Sequence, residues 1–492
     1  MTARSGKAKI DLPPEQFREM GHRLVDDIAS FLENIGSRPV APGGKPSEVR
    51  ALLGAPGIPK QGADPGRILA EATRLLFDNS TFNGHPRFFG YITASATPIG
   101  ILGEMLAAAV NSNVGAWHLS PAATEIELQT IRWMAELTGF PEKCGGIFVS
   151  GGNMANMVCF LAAKAKVARS FPTAAEQSRF RCYASVETHT WIDKAMDIAG
   201  LGRDAVRHLE TDARGRVSAV DLREMIEEDK ASGAIPFLVI ATAGTTNIGA
   251  VDPIDEMADV CEKHEVWLHV DGAYGAPVAA LPDANPDFRA MGRAQSLAID
   301  PHKWLYAPLE AGCALVRDRS DLEQAFSHHP HYYHFDDIEG EAGTNFHELG
   351  PQNSRGFRAL KVWLAMKQVG RAGYVEMISQ DIALTAELFE AVQSHAHLEA
   401  FTCELSIATF RYVPPDLRSS LDTNAAYLNM LNEAVLSNLQ LEGECFLSNA
   451  TIGDRFLLRA CIVNFRTTTD DVKAIPEIVA RVGQRLDAEL RR

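Results

Sequence analysis

Two stretches decide the fold: Val266-Trp267-Leu268-His269-Val270-Asp271-Gly272-Ala273, and Ser296-Leu297-Ala298-Ile299-Asp300-Pro301-His302-Lys303-Trp304-Leu305. Each is a short apolar run that ends abruptly in charge. Runs of this length, bounded by polar turns, read as strands buried on both faces. An Asp closing a buried strand is costly unless it is paired. Its partner is a backbone N–H, a metal or a protonated ring nitrogen. A lysine among apolar neighbours suits a nucleophilic amine. The competing reading is a surface lysine whose stem lies along apolar neighbours.

Outward from these two runs, the same texture repeats. Strands are expected at 146–150, 182–186, 206–209, 237–242, 266–270, 296–299 and 312–317, with helices between most of them, such as 153–169 and 253–264. Strands alternating with helices imply an α/β domain with a mostly parallel sheet, covered on both faces. Ligands of such sheets bind at the carboxyl ends of the strands. Residues 1–89 read as an N-terminal helical segment and linker, 90–354 as the large α/β domain, and 355–492 as a small C-terminal α+β domain. In the last, helices at 354–369 and 374–394 precede short strands, including 407–412 and 456–463, and a final helix from Asp470. In the first, an apolar stripe through Phe17, Met20, Leu24, Ile28, Phe31 and Ile35 predicts an amphipathic helix over 13–35. Such a stripe needs cover, from the large domain or from a second subunit. Residues 38–66, rich in Pro and Gly, read as a linker.

Lys plus Arg is 47 and Asp plus Glu is 63, a net charge of −16. That balance disfavours nucleic acid and anionic membranes as partners. No membrane span and no apolar leader is read. The eight cysteines are scattered singly, mostly within apolar runs. They read as reduced, buried thiols of a cytoplasmic protein, not as a disulfide frame or zinc site.

Five strand ends carry the chemistry. The first is Ser150-Gly151-Gly152-Asn153-Met154-Ala155-Asn156, where glycines and a helix start suit a phosphate; a plain strand-to-helix turn is the commoner reading of such a motif alone. The second is Glu187-Thr188-His189, and a lone His is usually structural. The third is Ala243-Gly244-Thr245-Thr246, a polar turn. The fourth and fifth carry Asp271 and Lys303. Alone each is modest. Together, in this chain order, a phosphate cradle, a flat imidazole, an Asp and a Lys form a site for pyridoxal 5'-phosphate (PLP). The Lys bonds the cofactor, and the Asp keeps its ring nitrogen protonated.

With these residues in view, the chain resembles the group II PLP-dependent amino-acid decarboxylases, the family of aromatic-L-amino-acid decarboxylase. The resemblance also takes in His85-Pro86-Arg87-Phe88-Phe89-Gly90-Tyr91, Ser120-Pro121-Ala122-Ala123-Thr124-Glu125, the run Ser354 to Trp363, and Leu458-Arg459. It implies the PLP-dependent transferase-like fold (fold type I), a homodimer and an amino-acid substrate. It also implies roles. Lys303 holds the cofactor. Asp271 meets the ring nitrogen, Ala273 lies against the ring, and His189 stacks on its other face. Thr246 lies near the phenolic oxygen or the substrate carboxylate. Gly152, Asn153 and Met154, with Asp300 and His302, hold the phosphate. His85, Tyr91, Thr93, Asn113 and Gly115 border the substrate. Tyr332 delivers a proton to the substrate carbon once carbon dioxide has left.

Asn113 and Gly115 stand where the aromatic enzymes commonly place bulky apolar residues. This predicts a wider or more polar pocket. An aromatic substrate is the first expectation, with acidic or other amino acids as the alternative. An aldehyde synthase on the same scaffold is a second reading, which Tyr332 and His189 disfavour. A carbon–carbon lyase acting on a phosphorylated amino alcohol would need further basic residues. Binding without turnover is a fourth. The histidines at 328, 329, 331 and 334 invite a metal, but no carboxylate or cysteine frame fixes them, and no metal is expected.

Overall fold

The computed structural model describes residues 8, 10–54, 57–328 and 343–492. Seven strands form the central sheet: β1 (Gly145–Val149), β2 (Phe180–Ser185), β3 (Val206–Leu209), β4 (Ile235–Thr242), β5 (Trp267–Asp271), β6 (Ser296–Ile299) and β7 (Gly312–Val316). Their order is β1-β7-β6-β5-β4-β2-β3. Only β7 runs antiparallel to its neighbours; every other pairing is parallel. Each of the seven expected strands is present. The reason is the one that made them readable: β1, β5, β6 and β7 are buried along their whole length. A strand packed on both faces has no use for polar alternation.

The small domain is a four-stranded antiparallel sheet, β8 (Leu398–Glu404), β9 (Ile407–Tyr412), β10 (Ser448–Ile452) and β11 (Arg455–Cys461), in the order β10-β11-β9-β8. Helices Ala425–Glu442 and Thr469–Leu490 pack against it. The helix Ala359–Ser394 joins the two domains and breaks at Gly370, where φ is +66°. That break separates the two helices expected there. Phe89 N–H donates to the Phe446 carbonyl at 2.8 Å, and the Phe89 ring sits in the small domain's core.

Before the sheet come the helices Pro14–Asn34, Pro46–Leu52 and Pro65–Asn79. The second lies inside the stretch read as linker. Pro46 occupies its first turn, and Glu48 accepts the Lys45 N–H at 2.8 Å, which is enough to start a helix amid glycines. Neither the first helix nor the third contains a buried residue. They meet chiefly through Phe31 stacked on Phe77, with centroids 4.3 Å apart. Among the described residues, no helix is long and apolar enough to cross a membrane.

Candidate active site

The parallel strands deliver their carboxyl ends to one edge. Asp271 closes β5 opposite Ala298 of β6, two residues before Asp300. Thr242 closes β4 opposite Asp271. At the far side, Gly312 of β7 lies so close to the Gly151 backbone that a side chain there would collide with it. The result is one cleft, lined by Gly152, Asn153, Asn156, His189, Thr242, Gly244, Thr246, Asp271, Ala273, Tyr274, Asp300 and Lys303.

Asp271 is buried, and each of its oxygens holds a donor: Trp191 Nε1–H to Oδ2 at 2.8 Å, and Ala273 N–H to Oδ1 at 3.2 Å. Lys303 Nζ lies 3.2 Å from Asp300 Oδ2. The other Asp300 oxygen, buried, has no partner among the described residues. His302 Nδ1 accepts the Ala311 N–H at 3.0 Å, and burial pushes its pKa down. His189 is open to solvent on one side, yet crowding by protein on the other lowers its pKa, against the weaker pull of Asp271. The helix Gly152–Ala168 starts at the cleft with no side chain capping it. Gly152 is required there, because a Cβ would run into the Asp300 carboxylate.

Beneath Asp271, on the same strand face, His269 is fully buried. Its Nε2 donates to Asn156 Oδ1 at 2.7 Å, and its Nδ1 meets Ser296 Oγ at 2.9 Å, which also accepts Trp267 Nε1–H at 2.8 Å. Burial holds the imidazole neutral, with its pKa down to about 4. Gly244 and Asn156 fall within the strand-end turns read from the sequence, whereas Thr242, Tyr274 and Trp191 carry no sequence signal of a site. These three reach it through contacts between distant segments.

Several expected site residues are employed elsewhere. His85 is buried away from the cleft: its Nε2 meets the Arg38 carbonyl at 3.0 Å and its Nδ1 accepts Arg87 N–H at 3.0 Å. Asn113 spends its amide oxygen on the N–H groups of Gly115 and Arg355, at 3.1 and 3.0 Å. A side chain at Gly115 would strike the Asn353 carbonyl. Within this chain both residues pack against backbone, and neither lines the cleft. Met154 packs on the core, and its N–H closes the first helical turn onto Gly151 at 3.0 Å. Thr93 Oγ1 is buried without a partner among the described residues. Tyr91 is exposed, with φ at +55°. Tyr332 and the histidines 329, 331 and 334 lie outside the described residues.

Arg459, which the sequence offers only as part of the resemblance, is brought beside the cleft by the structure. It is buried within β11, donates Nε–H to Ser448 Oγ at 3.1 Å and also bonds the Thr246 carbonyl beside the cleft. No carboxylate pairs with it among the described residues.

These donors fit PLP. An amine suits its aldehyde, a fixed carboxylate suits its ring nitrogen, and an uncapped, glycine-lined helix start suits its phosphate. The buried Thr242 hydroxyl at the cleft, unpartnered among the described residues, also leaves a polar group for a ligand to satisfy. A lysine and a carboxylate on neighbouring strand ends, facing such a helix start, define an α/β-fold pyridoxal enzyme. The chain belongs to the pyridoxal-dependent decarboxylase family, whose conserved domain matches residues 46–413. It is a PLP-dependent amino-acid decarboxylase. The aromatic-L-amino-acid decarboxylase of Bacillus atrophaeus is 35% identical over 468 residues, which cover 95% of each chain. The phenylacetaldehyde synthase of Petunia hybrida is 29% identical over 92% of this chain and 91% of its own. The structure of Oryza sativa TDC with PLP and tryptamine superposes with a TM-score of 0.90 at 26% identity, over 97% of this chain and all of that one.

The buried imidazole has a pH consequence. His269 is lowered to about 4 in the fold, whereas an unfolded His titrates near 6.5. Between these values the unfolded chain binds more protons, so stability is lost as pH falls from about 6.5 toward 4, by up to about 3 kcal/mol. Asp252 and Asp381, raised by burial to about 6 and about 7, pull the opposite way. A comparison with His269→Asn cancels them. Denaturant unfolding at pH 8 and pH 5 is expected to show the wild-type advantage over His269→Asn shrinking in acid. A gap that does not change with pH contradicts a neutral His269.

Proposed function

We propose that the enzyme decarboxylates an aromatic L-amino acid to its amine and carbon dioxide. The observation that carries this reading is the pairing of Lys303 and Asp271 on adjacent strand ends over one cleft. PLP supplies the electron sink for the pair left behind when the bond to the α-carboxylate breaks. Lys303 holds the cofactor, and Asp271 holds a proton on its ring nitrogen. Ala273 and His189 would lie against the two sides of the ring, as the family resemblance implies. The N–H groups of Gly152 and Asn153, with His302, hold the phosphate. Asp300 orients Lys303. The guanidinium of Arg459, beside Thr246 and without a carboxylate partner among the described residues, suits the substrate carboxylate. Thr93, whose hydroxyl has no partner among the described residues, would offer it to the substrate. Tyr332, through the family resemblance, returns a proton to the α carbon and completes the amine.

The aromatic preference rests on the Bacillus relative. The Petunia relative supports a second reading, in which the same carbon meets dioxygen and yields an aldehyde, ammonia and peroxide. Incubation of the holoenzyme in air with a panel of L-amino acids separates the two. Amine and carbon dioxide in equal amounts, highest with an aromatic substrate and falling sharply in Asp271→Asn, are expected. Aldehyde matched by oxygen uptake, or carbon dioxide only from non-aromatic substrates, would contradict the proposal.

The chain is further read as a cytoplasmic homodimer. All eight cysteines are unpaired. The helix Pro98–Val110 leaves Leu102, Met105, Leu106 and Val110 between 48% and 64% exposed, and Phe17 stands 58% exposed on the N-terminal helix. A second copy is the cover these faces suit best. Sedimentation should give twice the 53.6 kDa chain mass. A stable, active monomer would overturn this.

A further inference from the structure

Trp191 opens the helix Trp191–Ile198 and is almost fully buried, 1% exposed. Three of its contacts converge on the site. Its indole N–H donates to Asp271 Oδ2 at 2.8 Å. Its main-chain N–H meets His189 Nδ1 at 3.3 Å. Its ring stands edge-on to His269, with centroids 5.8 Å apart and planes at 89°. One residue thus touches the carboxylate and the buried imidazole beneath with its side chain, and the imidazole at the cleft with its main chain.

An indole has a single N–H and accepts nothing, so a buried Trp must place that donor well. Here it goes to a charged acceptor on a strand 80 residues away in sequence. A hydrogen bond to an ionised group is short and strong. Ala273 N–H holds the other oxygen at 3.2 Å, so the carboxylate plane is pinned at both ends. Each oxygen keeps a lone pair for a further donor. The His269 side adds no competing charge, since burial keeps that imidazole neutral between Ser296 and Asn156.

We infer that Trp191 is a positioning residue: its indole N–H holds the Asp271 carboxylate in place for the cofactor's ring nitrogen, and its main-chain N–H steadies the His189 ring. This rests on the reading that Asp271 meets that nitrogen. Trp191 itself touches neither cofactor nor substrate in this role. Its loss is therefore felt first in cofactor affinity and in the cofactor's spectrum.

The test strips the enzyme of PLP and titrates it back, following visible absorbance. Trp191→Phe is expected to weaken PLP binding about tenfold, the loss of one charge-assisted hydrogen bond. It is also expected to move the pH midpoint of the visible band. Trp363→Phe, whose indole serves Gln129 instead, should leave both unchanged. The same substitution made in an Asp271→Ala background should add less than about twofold, because the acceptor is gone. If Trp191→Phe does not fold, the shape-preserving analogue 3-benzothienylalanine at position 191, which lacks the N–H, takes its place in every arm. Unchanged affinity and spectrum, or a full tenfold loss that persists in the Asp271→Ala background, would overturn the inference. If Asp271→Ala by itself left affinity and spectrum untouched, the underlying reading of Asp271 would fail instead, which is a separate result.

Discussion

Glu127 and Arg355 form an ion pair with no solvent exposure on either side chain, at 2.5 Å. Two charges withdrawn from water are expensive, and their attraction offsets that cost only with further hydrogen bonds. Those bonds are what organise the fold. Arg355 also donates to the carbonyls of Val114 and Phe148, at 2.8 and 2.7 Å, and lies 4.7 Å over the Phe346 ring. Glu127 accepts the Phe148 N–H at 3.0 Å. Four separate segments meet at this pair, and β1 is one of them. The register of β1 sets where the Gly151-Gly152 turn falls, and so where the helix start faces the cleft.

The cleft obeys a related constraint. Asp271, Asp300 and Lys303 bring three charges to strand ends in an apolar setting. They persist there because each is held: Asp271 by two N–H donors, Lys303 and Asp300 by one another. The layer behind avoids more charge. His269 stays neutral between Asn156 and Ser296. On the other flank, Trp304 and Tyr306 both donate to the buried Asp381 carboxylate, at 2.9 and 2.6 Å. Lys303 is thus carried on a segment whose aromatic neighbours are tied to the helix that joins the domains.

How much of this was legible in the sequence depends on the range of each contact. The strands were readable because burial on both faces leaves an uninterrupted apolar run. Asp271 and Lys303 were readable because parallel strands put their successors at one edge, whatever the loops do. The fates of His85, Asn113 and Gly115 were not. Each lies in an irregular segment whose partner backbone, at Arg38, Arg355 or Asn353, is set by tertiary packing and has no periodic signature. Trp191 was hidden for the same reason: nothing local to residue 191 announces an acceptor at residue 271. The short helix Pro46–Leu52 was masked by the Pro and Gly content around it, although Pro at a first helical turn is a start signal.

The central claim is that Lys303 is the residue that bonds the cofactor. Borohydride reduction of the PLP-loaded enzyme followed by peptide mapping tests it most directly. A pyridoxyl group on the peptide that carries Lys303, absent from Lys303→Ala, is the result expected. A label on a different lysine, or undiminished labelling of Lys303→Ala, would contradict it.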